Sequence, residues 1–111
     1  KRRKTVLSED EKAFWTPGQD LPPKTVVTSL GIVGTLLSQE NRVPQHRLSL
    51  YEQGVQLYLA PWVEVGGLWW VTASHTALDG QCFVLTASQE RDHKAGAYCG
   101  PNGWKLQTRG F

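Results

Sequence analysis

Between His46 and Ala87 the chain carries short apolar, β-branched and aromatic runs, broken at Glu52-Gln53-Gly54, Gly66-Gly67 and Asp79-Gly80. Glycine in each break supplies the positive φ that a tight turn needs. In the first run Leu48 and Leu50 alternate with Arg47, Ser49 and Tyr51. After the Gly54 turn, Val55, Leu57 and Leu59 alternate with Gln56 and Tyr58. This period of two predicts a hairpin with one buried and one wetter face. Residues 62–65 and 68–73 read as a second hairpin across Gly66-Gly67, apolar on both faces, with Trp69 opposite in sense to Leu68 and Trp70. Residues 81–87 read as a further strand, and residues 95–99 and 104–108 as a last hairpin across Gly100-Pro101-Asn102-Gly103.

Nearer the N-terminus, Ser8 with Glu11 three residues later has the form of a capping box, so a short helix is expected there. Thr16-Pro17-Gly18 stops it, and Pro22-Pro23 forces an extended entry to the segment at residue 24. Residues 24–38 fit a strand face (Val26, Thr28, Leu30, Ile32, Leu36) and a helix face (Val26, Leu30, Val33, Leu37) alike. Their β-branched content and the helix cost of Gly31 and Gly34 favour strand. Residues 39–45 read as a polar loop ending near Pro44. The expected fold class is all-β, or β-rich α+β. It is a small antiparallel sandwich or partly open barrel of about 7–8 short strands with a short N-terminal helix. Residues 1–23 are expected to be a basic tail, short helix and linker, and residues 24–111 a single β-rich domain.

Composition narrows the class. The 111 residues are 40% hydrophobic and 20% charged, with net charge +2, which fits one folded domain and argues against a nucleic-acid binder. No apolar run reaches the roughly 18 residues that a spanning helix needs. The run Lys1-Arg2-Arg3-Lys4 reads as a solvated tail or as the flank of a membrane anchor upstream. The two cysteines, Cys82 and Cys99, sit where neighbouring strands could join them. A disulfide there would stabilise by roughly 3 kcal/mol in the chain-entropy model and would imply an extracytoplasmic, periplasmic or secreted setting. Five tryptophans are an excess for this length, read as core plugs or as an exposed aromatic patch.

A reaction centre does not emerge from these patterns. His46, His75 and His93 lie at no zinc-type spacing to one another or to a cysteine, and no phosphate-binding glycine loop is present, so neither metal nor cofactor is expected. Trp70-Val71-Thr72-Ala73-Ser74-His75 resembles the segment around the catalytic histidine of trypsin-like serine proteases, and Gly31-Ile32-Val33-Gly34 resembles their mature N-terminus. The resemblance would make His75 a general base, but no Gly-Asp-Ser-Gly-Gly nucleophile motif is present. Residues 30–36 are similar to small periplasmic β-domains of bacterial pilus and secretion machines, which implies an adaptor. The expected function is a non-enzymatic binding or assembly module of the cell envelope. Its partner is another protein, met through Tyr58, Trp62, Trp69 and Trp104 or through an edge strand. The alternatives are a small secreted enzyme or toxin built on His75, Ser74 and Asp79 or Glu64, and a glycan-binding β-domain.

Overall fold

The computed structural model describes residues 2–19, 22–62, 67–87, 95–102 and 105–109, the side chains of Gly67, 95–99 and 105–109 excepted. Its elements run α1 (Glu9–Lys12), β1 (Val26–Thr28), β2 (Gly31–Thr35), a 3₁₀ segment (Ser38–Arg42), α2 (Pro44–Glu52), β3 (Leu57–Leu59), α3 (Gly67–Gly80), β4 (Phe83–Ala87), β5 (Ala95–Cys99) and β6 (Lys105–Arg109). The strands form one six-stranded sheet in sequence order. β2, β3 and β4 run parallel, while β1, β5 and β6 are antiparallel to their neighbours.

The all-β antiparallel expectation is therefore wrong: this is a mixed α/β layer. Parallel neighbours need a crossover, and α2 and α3 supply the two between β2, β3 and β4. The first expected hairpin is in fact a helix followed by a strand. His46 and Leu50 are four apart and both buried, and Pro44 opens α2 at its first turn. Gly54, at φ 72°, does take the left-handed position, but as a helix cap. Its N–H donates to Tyr51 O, and Val55 N–H donates to Leu50 O, the paired bonds of a Schellman motif.

The second arm of the second expected hairpin, residues 68–73, lies in the helix α3, while residues 63–66 lie outside the described residues. Trp69, Ala73 and Ala77 recur every four residues and are all buried, so the stripe that matters is made largely of small residues. The conspicuous Leu68 and Val71 are exposed. Small residues let α3 lie close to α2: a Cβ on Gly80 would stand 2.5 Å from the Tyr51 ring. Residues 24–38 are extended as expected, but as the hairpin β1–β2, and the last hairpin is present as β5–β6. The Ser8 capping box holds as read, with Ser8 Oγ accepting from Glu11 N–H and Glu11 accepting from Ser8 N–H.

Both crossover helices cover the same face of the sheet. Leu36, Leu50, Val55, Tyr58, Ala60, Trp62, Trp69, Ala73, Ala77, Cys82 and Val84 form one core. The opposite face carries Leu59, Phe83 and Leu85, each about two-fifths exposed. No described element covers it.

Candidate active site at the carboxyl ends of the parallel strands

In open α/β sheets, ligands meet the carboxyl ends of parallel strands. At that rim the ladder extends beyond β2 and β3: Leu36 N–H donates to Leu59 O, Ser38 N–H to Pro61 O at 3.0 Å, and Trp62 N–H to Ala87 O. Ser38 is the last residue so held. Its φ is +48°, one of only two such values on a non-glycine among the described residues. The other, Gln81, is an ordinary helix cap, since Gln81 N–H donates to Leu78 O and Cys82 N–H to Ala77 O at the end of α3. Ser38 opens its 3₁₀ segment, so helix capping does not explain its conformation. A buried serine with a left-handed backbone between a strand end and a helical turn has the form of a nucleophile elbow.

The turn is pinned from inside. Asn41 Nδ2 donates to Leu36 O at 3.1 Å and to Ser38 O at 3.0 Å, and Asn41 Oδ1 accepts from Tyr58 Oη at 2.8 Å. Burial pushes the Tyr58 phenol far above its ordinary range, so it remains a donor.

Glu40, fully buried, ties the N-terminal segment to the same turn. Its carboxylate accepts from Arg2 Nη1 and Nη2 at 2.8 and 2.9 Å, from Thr5 Oγ1 at 2.8 Å and from Leu37 N–H at 2.8 Å. Burial pushes this carboxyl up, but the bonds from Arg2, Thr5 and Leu37 outweigh it and hold it below the usual range. Nearby, burial holds the His46 imidazole below its ordinary value, with Glu40 opposing.

Lys4 lies in the chain between Arg2 and Thr5, both bonded to Glu40. Its Nζ reaches both Glu11 carboxylate oxygens at 2.6 Å. The hydrogen bond from Lys4, followed by that from Ser8 N–H, keeps Glu11 below the usual carboxylate range. Arg3, Lys4, Leu7, Glu11, Trp15 and Thr16 line a cleft of about 480 Å³. Within the basic run Arg2 and Lys4 are thus not solvated, both being in ion pairs, while Lys1 lies outside the described residues.

The residues expected to bind lie elsewhere. Tyr58, Trp62 and Trp69 are core, so they offer no exposed aromatic face. Trp62 stacks on Trp69 with centroids 4.1 Å apart, Arg42 sits over the Trp62 ring, and Trp69 Nε1 donates to Thr86 Oγ1 at 3.1 Å. Trp104 and Glu64 lie outside the described residues. His75 Nδ1 lies 3.1 Å from an Asp79 carboxylate oxygen on the exposed side of α3, one helical turn apart, so the protease-like stretch is a helix with a solvated polar contact. Cys82 is a free, buried thiol and not half of a disulfide; it packs beneath Gly80 and near Thr76 O, and the Cys99 side chain lies outside the described residues. With the disulfide goes the premise for an oxidising compartment. No cluster suited to a metal ion occurs among the described residues.

Lys4, Glu11, Ser38 and Glu40 were not legible in the sequence as a group. Glu11 was legible only as a cap. A usable signal was present at Ser38: an apolar strand, Gly31 to Leu37, passes without a turn glycine into Ser38-Gln39-Glu40-Asn41.

Comparison with known proteins fits this geometry. The family model described as carbon-nitrogen hydrolase matches residues 1–101. A nitrilase from Bradyrhizobium diazoefficiens is 38% identical over 98 residues, covering 88% of this chain and 30% of the nitrilase. A bifunctional nitrilase/nitrile hydratase from Lupinus angustifolius is 35% identical over 89 residues, covering 80% of this chain and 25% of that protein. The chain therefore spans less than a third of these relatives. An amidase of the nitrilase superfamily from Nesterenkonia superposes with TM-score 0.80 at 20% identity, over 96% of this chain and 46% of the amidase. Another structure of that amidase shows covalent addition of the acetamide moiety of fluoroacetamide at its active-site cysteine. The fold is that of the nitrilase superfamily, an α-β-β-α sandwich, of which the described residues form one sheet and its helices. These matches overturn the reading of a non-enzymatic, all-β binding module, because the family is one of enzymes.

Proposed function

The chain belongs to the carbon-nitrogen hydrolase family, and on that premise we propose that it carries part of a hydrolytic active site for the carbon–nitrogen bond of a small amide or nitrile. The observation that carries the reading is the Lys4–Glu11 pair, on a segment whose Arg2 and Thr5 are bound by Glu40 of the turn at the carboxyl ends of the parallel strands. Hydrolysis of an amide builds negative charge on the carbonyl oxygen and needs a proton delivered to the departing nitrogen. The Lys4 ammonium is a fixed donor for the first task. Glu11, kept ionised, orients that ammonium and is the proton acceptor of the pair. The substrate class is supported by the names of the relatives, which are nitrilases and an amidase solved with butyramide.

Ammonia release from butyramide and from a small aliphatic nitrile, by the chain in its natural polypeptide, tests the reading. Lys4→Ala is expected to slow turnover by about 10²-fold or more, as for loss of an oxyanion donor, with the fold intact. Turnover at the parent rate by both Lys4→Ala and Glu11→Gln would refute it.

A further inference from the structure

We propose that Arg3 sets the substrate preference of this site, favouring amides and nitriles whose far end carries a carboxylate; this rests on the hydrolase reading above. The cleft beside Lys4 is lined by Arg3, Lys4, Leu7, Glu11, Trp15 and Thr16, all from one short stretch of chain. Its cations outnumber its anions. Lys4 and Glu11 neutralise each other at 2.6 Å. Arg3 stands between two paired cations, Arg2 and Lys4, yet makes no hydrogen bond or ion pair with any described residue. The nearby carboxylates are engaged elsewhere: Glu11 also accepts from Ser8 N–H, Glu9 pairs with Lys12, and Glu40 is bound by Arg2 and Thr5. Asp10, the remaining carboxylate of α1, does not line the cleft. The lining therefore carries one uncompensated positive charge, on Arg3, beside the apolar Leu7 and Trp15.

The backbone around Arg3 is built rather than loose. Gly18 N–H donates to Lys4 O at 2.8 Å, and Trp15 N–H donates to Glu11 O at 2.8 Å, so the chain leaving α1 folds back on residues 3 and 4. A Cβ on Gly18 would stand 2.7 Å from Arg3 Cβ and 2.9 Å from Arg3 O, an approach that only glycine allows. The guanidinium beyond that fixed stem is exposed, so a free substrate can reach it. Its planar fork stays charged and matches a carboxylate with two parallel hydrogen bonds. At about 480 Å³ the cleft is in the size range of small-molecule sites, with room for a spacer along Leu7 and Trp15. Adjacent residues have Cα atoms about 3.8 Å apart, so a spacer of a few carbons joins a carboxylate at Arg3 to an amide at Lys4. In the hydrolysis the amide C–N bond breaks, the acyl carbon takes the oxygen of water, and ammonia and a dicarboxylate leave.

The test uses the chain in its natural polypeptide and three amides of matched length, succinamate, butyramide and β-alaninamide, which end in a carboxylate, a methyl group and an ammonium. Ammonia release gives kcat/KM for each. The parent is expected to prefer succinamate to butyramide by about tenfold, as for a hydrogen bond to a charged group, with β-alaninamide last. The preference should lie in KM and shrink as salt rises from about 0.02 to about 0.5 M, because an exposed charge is screened. Arg3→Gln should erase it, and Arg3→Lys, which keeps the charge, should keep most of it. Damage to the fold or to Lys4 lowers all three rates together, so the ratios decide and the absolute rates do not. A parent that hydrolyses butyramide as well as succinamate overturns the proposal and leaves the hydrolase reading standing. So does a preference that survives Arg3→Gln or is indifferent to salt. Silence of the parent on all three amides and on their nitrile counterparts overturns both.

Discussion

Replacing Glu40 by glutamine tests the electrostatic joint between the N-terminal segment and the Ser38 turn. Glutamine keeps the shape but removes the charge, and it sets an amide among donors from Arg2, Thr5 and Leu37. Removing one partner of a buried ion pair costs about 3–5 kcal/mol. The Arg2 side chain keeps some water, being 17% exposed, so the lower end, about 3 kcal/mol, is expected. Urea unfolding followed by tryptophan fluorescence measures it, and adding Arg2→Gln to the variant should cost much less than Arg2→Gln alone, because the charge left unpaired is then gone. The pH dependence has a fixed sign. The folded-state value of Glu40 lies below the ordinary glutamate value of 4.5, so its contribution is complete above that pH and is lost as pH falls through the folded value. The difference in stability between parent and Glu40→Gln must therefore shrink on acidification below about pH 4.5 and stay flat above it. A cost under about 1 kcal/mol, the value of a surface pair, or a difference that grows in acid, would refute the reasoning.

The same geometry sets the outcome of three simpler experiments. Cys82 should resist alkylation in the native protein at pH 8 and react fully in denaturant, as read by mass spectrometry, because burial raises its thiol. Gly54→Ala should destabilise by about 1–2 kcal/mol in urea unfolding, since a Cβ is disfavoured at φ 72° although space for it exists. Asn41→Ala should cost about 3 kcal/mol by stranding the Tyr58 hydroxyl and two carbonyls, and should also lower turnover by loosening Ser38.

How far the sequence could be read depended on whether the deciding interaction was local. The Ser8–Glu11 box is a contact across one turn, and it was legible. So were the extended character of residues 24–38 and the last hairpin. Residues 67–80 were misread because aromatic and β-branched side chains suggest strand, while the buried stripe of α3 is Trp69, Ala73 and Ala77. Alanine adds little to any hydrophobic pattern, yet it is what lets two helices approach. Gly54 shows the same ambiguity: a left-handed glycine ends a helix as readily as it turns a hairpin. Choosing between them needs the parallel pairing of β2 with β3, a contact between segments far apart in the chain.

The site was illegible for a related reason: its residues acquire meaning only through who holds them. A left-handed backbone costs a residue such as Ser38 roughly 1–2 kcal/mol, and nothing in the local sequence offsets that. The offset comes from four hydrogen bonds around the turn: Ser38 N–H to Pro61 O, Asn41 to Ser38 O and Leu36 O, and Leu37 N–H to Glu40. At about 1 kcal/mol each they exceed the strain about two- to fourfold, so the conformation is over-determined. Two of the holders are themselves held, Asn41 by Tyr58 from the core and Glu40 by Arg2 and Thr5 from the N-terminal segment. Core, sheet rim and N-terminal segment therefore share one joint, and substitutions at Asn41 or Glu40 should act on turnover without either side chain touching substrate.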